Sequence, residues 1–181
     1  MIAFGADLGI YNYRSTVASS NTSDNNAAAN KMLNLQYERG VLNWLGIGAK
    51  LQLCDYFTSK DTATGAKATV RSFDALVVIN AHMLRSKRVD LLGGVNVGYS
   101  YLNYSANDKY ISQATGGGST FDIHFQPRFY FGDHFGMFIN LAYVHYGYNN
   151  LDFQNTQTHI ADVLDLNGGG VNFGFGFQAK F

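Results

Sequence analysis

Large apolar side chains recur at every second position along most of this chain, and the positions between them carry glycine, amides and ions. The stretch GGGVNFGFGFQAKF at 168–181 is the plainest case. Val171, Phe173, Phe175, Phe177, Ala179 and Phe181 share one parity, whereas Asn172, Gly174, Gly176, Gln178 and Lys180 share the other. A period of two belongs to the β-strand, whose successive side chains point to opposite faces. Seven earlier segments show the same period, so eight strands are expected, at roughly 2–13, 33–42, 44–57, 69–84, 89–103, 119–131, 136–148 and 168–181.

Composition narrows the class. The 181 residues include a single proline, 20 glycines and 15% aromatics, which suits one strand-rich domain over 1–181. Formal charge is zero and 14% of residues are charged, so there is no broad basic surface to hold phosphates, and nucleic acid is excluded as a partner. Cys54 is the lone cysteine and offers neither an internal disulfide nor a thiolate pair; no metal or cofactor is expected. The opening MIAFGADLGI lacks the basic start and cleavage site of a secretory leader, which fits either a cytosolic protein or a mature form. Apolar runs such as ALVVI at 75–79 fall far short of the about 20 residues a membrane-spanning helix needs.

The connections alternate between tight and long. Asn43, RSKR at 85–88 and GDHF at 132–135 mark hairpin-sized turns, whereas polar stretches at 14–32, 58–68, 104–118 and 149–167 read as long loops. Short turns therefore share one end and long loops the other. With an even number of antiparallel strands, this asymmetry predicts a closed, up-and-down transmembrane β-barrel.

Alternation alone leaves open which parity faces in. The polar parity carries Asp7, Glu38, Lys50, Asp74, His82, Asp122, His124, Arg128 and Lys180, and also glycines such as Gly5, Gly46, Gly98 and Gly176. A solvated face has no need of small residues, but the interior of a small barrel does. The polar set is therefore expected to point inward as a packed network, with Glu38 and Lys50 pairing across the Asn43 turn. Aromatic residues are expected to form two girdles. Trp44, Phe131, Phe135, Phe177 and Phe181 would lie at the short-turn end. Tyr13, Tyr56, Phe57, Tyr99, Tyr101, Tyr104, Tyr143 and Tyr148 would lie at the other.

On these features the whole chain resembles the small bacterial outer-membrane β-barrels, the eight-stranded type of the OmpA transmembrane domain and OmpX-like proteins. VNFGFGFQAKF resembles the terminal signal read by the barrel-assembly machinery, which gives that role to Phe173, Phe175, Phe177 and Phe181. LNLQYERGVLNWLGIGAKLQL resembles the family's recurring hairpins. The resemblance implies an outer-membrane location in a Gram-negative cell and contact with bilayer and lipopolysaccharide. It also implies a scaffold or adhesion role without catalysis, with partners at the loops 14–32, 58–68, 104–118 and 149–167.

Three other readings stay open: a lipid-modifying enzyme, a narrow pore or subunit of a larger assembly, and a soluble lipocalin-like carrier. His145 has outward parity in AYVHYGYNN, which resembles the His-x-Ser-Asn segment of lipid A deacylases, but Gly147 stands where the serine would be, leaving no hydroxyl to activate. His159, Asp162 and Asp165 match no metal-loop spacing and are expected to be solvated. Pro127, inside the sixth strand, predicts a bulge or a break in the ladder.

Overall fold

The computed structural model describes residues 1–17, 22–57, 67–107, 112–155 and 160–181. Its strands are β1 (Ile2–Val17), β2 (Thr22–Leu42), β3 (Leu45–Phe57), β4 (Lys67–Arg85), β5 (Val89–Asn107), β6 (Ser112–Tyr130), β7 (Phe135–Asn155) and β8 (Ile160–Ala179). Each pairs antiparallel with the next, and β1 pairs with β8 through Phe4 opposite Phe177 and Leu8 opposite Phe173, closing the barrel. Closure satisfies the backbone of every strand on both sides, which is what allows a sheet to stand in hydrocarbon.

The side chains are arranged inside out relative to a soluble protein. Phe173, Phe175 and Phe177 are 60%, 57% and 63% exposed, whereas Lys50, Asp122 and Arg128 are 6%, 3% and 1% exposed. The alternation is sharp within single strands: on β4, Val77 and Ile79 face out while Leu76, Val78 and Asn80 are buried. Glycine makes room where a large residue crosses the lumen. An added Cβ at Gly5 would sit 2.8 Å from the Phe138 ring and one at Gly176 2.5 Å from it, so Phe138 packs over both only because neither has a side chain.

The strands run further than the apolar alternation does, which corrects the loop boundaries. The stretches expected as loops at 14–32, 104–118 and 149–167 contribute much of their length to β1, β2, β5, β6, β7 and β8, whereas of 58–68 only Lys67 and Ala68 are described, at the start of β4. Ser15 pairs with Asp24 and Asn103 with Thr115, so the ladder continues through polar sequence. Backbone pairing needs no apolar side chain once the strand has left the lipid band, and hydropathy is blind to it there.

Pro127 interrupts the β6–β7 ladder without a bulge. Phe125 pairs with Leu141 and Arg128 with Phe138 in unbroken register, and on its other side Pro127 stands opposite Leu91. The missing N–H removes a rung but adds no residue. Bulges occur elsewhere, notably in β7, where the register shifts between Tyr148 and Leu151 against β8. Asn150 adopts a positive φ of 58° there, and its N–H donates to Asp165 Oδ1 at 2.8 Å. Asp165 is therefore a bulge cap rather than a free solvated carboxylate; His159 lies outside the described residues.

Candidate functional site in the barrel interior

The lumen is built in layers. Nearest the short turns, Glu38 of β2, His82 of β4, Asp90 of β5 and Arg128 of β6 converge. Arg128 Nη2 donates to Glu38 Oε2 at 2.7 Å, and its Nη1 is 3.9 Å from Asp90 Oδ2. His82 sets Nδ1 2.7 Å from Asp90 Oδ1 and Nε2 3.1 Å from Glu38 Oε1. Both ring nitrogens thus face carboxylate oxygens, and two N–H donors exist only in the imidazolium form. Two cations then balance two carboxylates, the condition under which burying charge is tolerable.

The next layer continues from the first. Asn80 Nδ2 donates to Glu38 Oε2 at 2.6 Å, while its Oδ1 lies 2.9 Å from His124 Nε2. His124 Nδ1 is 2.9 Å from Asp122 Oδ1, Asn96 Nδ2 donates to both Asp122 oxygens at 2.8 Å, and Lys50 Nζ approaches Asp122 Oδ2 at 3.8 Å. Asp7 accepts from Asn140 Nδ2 at 3.0 Å. A void of about 10 Å³ among Asn34, Lys50, Asn96, His124 and Phe138 has room for no more than about one water.

Above this layer the chemistry changes. The Asp74 carboxylate accepts from Ser100 Oγ, from Tyr146 Oη at 3.1 Å and from Cys54 Sγ at 3.5 Å, all neutral donors. Tyr148 Oη lies 2.6 Å from Ser100 Oγ, and Tyr11 Oη donates to Asn172 Oδ1. The tyrosine rings over this floor form part of an apolar cluster with Leu102, Val144 and Leu151.

Several expected residues sit elsewhere. Lys180 is exposed: β8 ends at Ala179, so Lys180 lies past the last rung, its Nζ 5.7 Å over the Tyr130 ring at the mouth. Glu38 does not pair with Lys50, because the register sets Gln36 opposite Lys50 and Gly48 opposite Glu38, and Glu38 reaches across the lumen to Arg128 instead. Tyr13 and Tyr56 are not girdle residues. They share inward parity with Tyr11 and Cys54 and line the upper lumen, as do Tyr104 and Tyr148. Trp44, Phe131, Phe135, Tyr99, Tyr101 and Tyr143 are exposed on the outer wall. Asp90, Asn80, Asn140 and Tyr146 were missed by the sequence reading, although each carries the inward parity of its strand. His145 packs on Phe121, ring centroids 5.3 Å apart, and the outward position beyond it is Gly147. Among the described residues no cluster of His, Cys, Asp or Glu is arranged to hold a metal ion.

The fold is that of the small bacterial outer-membrane β-barrels. Neisserial surface protein A superposes with a TM-score of 0.52 at 9% identity, covering 98% of this chain and 97% of that one. The outer-membrane protein OprG of Pseudomonas aeruginosa gives 0.53 at 12% identity, covering 99% and 95%. The outer-membrane protease OmpT of Escherichia coli gives 0.54 at 8% identity, covering 99% and 97%. No protein-family model matches the sequence. No curated protein matches it significantly.

Proposed function

We propose that this chain is an integral outer-membrane scaffold whose barrel neither conducts nor catalyses, and whose upper rim and connections carry its contacts outside the cell. The observation that supports this most is the unbroken run of buried partners Asp90, His82, Glu38, Asn80, His124, Asp122 and Lys50, which crosses the lower lumen above a mouth pocket of about 380 Å³ and engages these groups with one another. A conducting path would need those groups facing water, and a catalytic one would need a reactive group facing substrate.

Membrane placement is supported by the outer wall. On β2, Leu33, Leu35 and Tyr37 face out between Lys31 and Arg39, over which the strand rises about 26 Å at about 3.3 Å per residue. Tilted by about 40°, that spans about 20 Å, close to the lipid-facing band of such barrels. Lys31, Asp55 and Arg71 form an ion-paired row on the outer wall, Lys31 Nζ 3.2 Å and Arg71 Nε 3.3 Å from the Asp55 carboxylate. They mark the upper edge of the band, at the depth of lipopolysaccharide head groups. Phe173, Phe175 and Phe177 present the aromatic face of β8 to lipid and, with Phe181, would be read by the assembly machinery during insertion.

Planar-bilayer recording tests the sealed lumen. The wild-type barrel is expected to produce no resolved conductance steps, and stepwise currents from pure protein would contradict the proposal. Incubation with lipopolysaccharide, followed by mass analysis of the lipid, is expected to return it unchanged; loss of an acyl chain would assign a catalytic role.

A further inference from the structure

The upper lumen is a cavity of about 610 Å³, reached from the end of the barrel opposite the short turns. That volume falls within the range of small-molecule sites, about 300–1,000 Å³. Its floor is aromatic: Tyr146 and Tyr148 stack with centroids 5.9 Å apart and planes 4° from parallel, and Tyr11 meets Tyr146 edge-on at 5.8 Å. Leu102, Leu151 and Leu164 add to its apolar lining.

The hydroxyls decide what this bowl accepts. Tyrosines in binding sites usually offer their O–H to the ligand. Here Tyr146 spends its hydroxyl on Asp74, Tyr148 on Ser100 and Tyr11 on Asn172, all part of the polar layer beneath. The floor is left with ring faces, ring edges and leucine methyls; Ser15, Asn26 and the Tyr13, Tyr56 and Tyr104 rings add polar groups to the wall, but among the described residues no charged side chain lines the bowl. A charged ligand seated on that floor would lose its hydration without a partner. A flat uncharged hydrocarbon loses nothing and covers apolar surface that water otherwise wets.

We propose that the bowl is a binding site for small, uncharged aromatic or alicyclic molecules taken from the extracellular side. Because the Asp74 layer closes its floor, the site holds its ligand rather than passing it through.

The test uses the full chain in lipid nanodiscs with tyrosine replaced by 3-fluorotyrosine, titrated with naphthalene and, separately, with 2-naphthoate. Tyrosines on the outer wall, Tyr99, Tyr101 and Tyr143, report partitioning of the probe into lipid. Naphthalene is expected to shift the fluorine signals of Tyr146 and Tyr148 saturably, with 2-naphthoate weaker by about tenfold or more. Leu164→Trp, which fills a partly buried wall position, is expected to weaken naphthalene by about tenfold while heat-modifiable migration shows the barrel still folded. Shifts confined to the outer-wall tyrosines, or equal affinity for the two probes, would overturn the proposal. Either failure leaves the sealed lower lumen untouched, since conductance reports that separately.

Discussion

The two halves of the lumen solve the same geometric problem in opposite ways. Near the short turns the interior is crossed by ions paired to ions, Arg128 and His82 against Glu38 and Asp90, which close the inner end of a mouth pocket of about 380 Å³. Near the other end it is lined largely by rings and leucines around open space, and the carboxylate beneath that floor, Asp74, is held by neutral hydroxyls and a thiol. The difference shows that inward parity fixes direction but not polarity. A closed barrel must bury something along each strand, and whether that is charge or hydrocarbon depends on what partners the neighbouring strands supply at the same height.

The largest test of this contrast lies in the charged half. Arg128→Met removes the cation from two carboxylates and is expected to cost about 3–5 kcal/mol, the penalty of leaving buried charge unpaired. Urea unfolding in detergent, read by the loss of heat-modifiable migration, measures it. A loss below about 1 kcal/mol would mean that these ion pairs behave as surface pairs and that the halves do not differ energetically.

A smaller effect is expected from size alone. Gly176→Val drives a side chain into the Phe4 carbonyl of the paired strand and the Phe138 ring, and should cost about 1–3 kcal/mol or more through overpacking. Ala28→Val adds comparable bulk facing the bowl, where space exists, and should stay within about 0.5 kcal/mol of wild type. The same unfolding measurement applied to both variants sharpens the comparison, because equal losses would show the upper lumen to be as tightly filled as the lower.

The smallest expected effect tests the boundary between the halves. Tyr148→Phe removes the hydroxyl beside Ser100 and should cost about 1 kcal/mol. Ser100 keeps its bond to Asp74, so the floor should remain shut and bilayer recordings silent. New conductance in this variant would show that the tyrosine layer, rather than the charged layer below it, seals the barrel.

Much of this was legible in the sequence, and the gaps have physical causes. Eight strands, their order, the tight turns at Asn43, 85–88 and 132–135, and the orientation of Phe173 or Val77 follow from the period of two. Strand ends did not, because Ser15, Asp24, Asn103 and Thr115 pair through backbone that carries no hydropathy signal. Partner choice within the lumen was also hidden. Glu38 and Arg128 lie 90 residues apart and meet across the barrel, a distance set by closure rather than by local spacing. The bowl was missed for a different reason. Tyr13, Tyr56, Tyr104 and Tyr148 lie beside the connections, where girdle aromatics also fall, and parity alone points all four inward. Leu151 is the exception that parity gets wrong, since the bulge at Asn149–Asn150 reverses the phase of β7.

The central claim is sidedness, and β4 offers its most direct test without any substitution. With methyl-labelled protein in bilayers containing a phospholipid that carries a nitroxide on its acyl chain, Val77 and Ile79 are expected to lose their methyl signals, while Leu76 and Val78 keep theirs. Broadening of Val78 and Leu76 with sparing of Val77 and Ile79 would contradict the inside-out arrangement from which the sealed lumen and the bowl both follow.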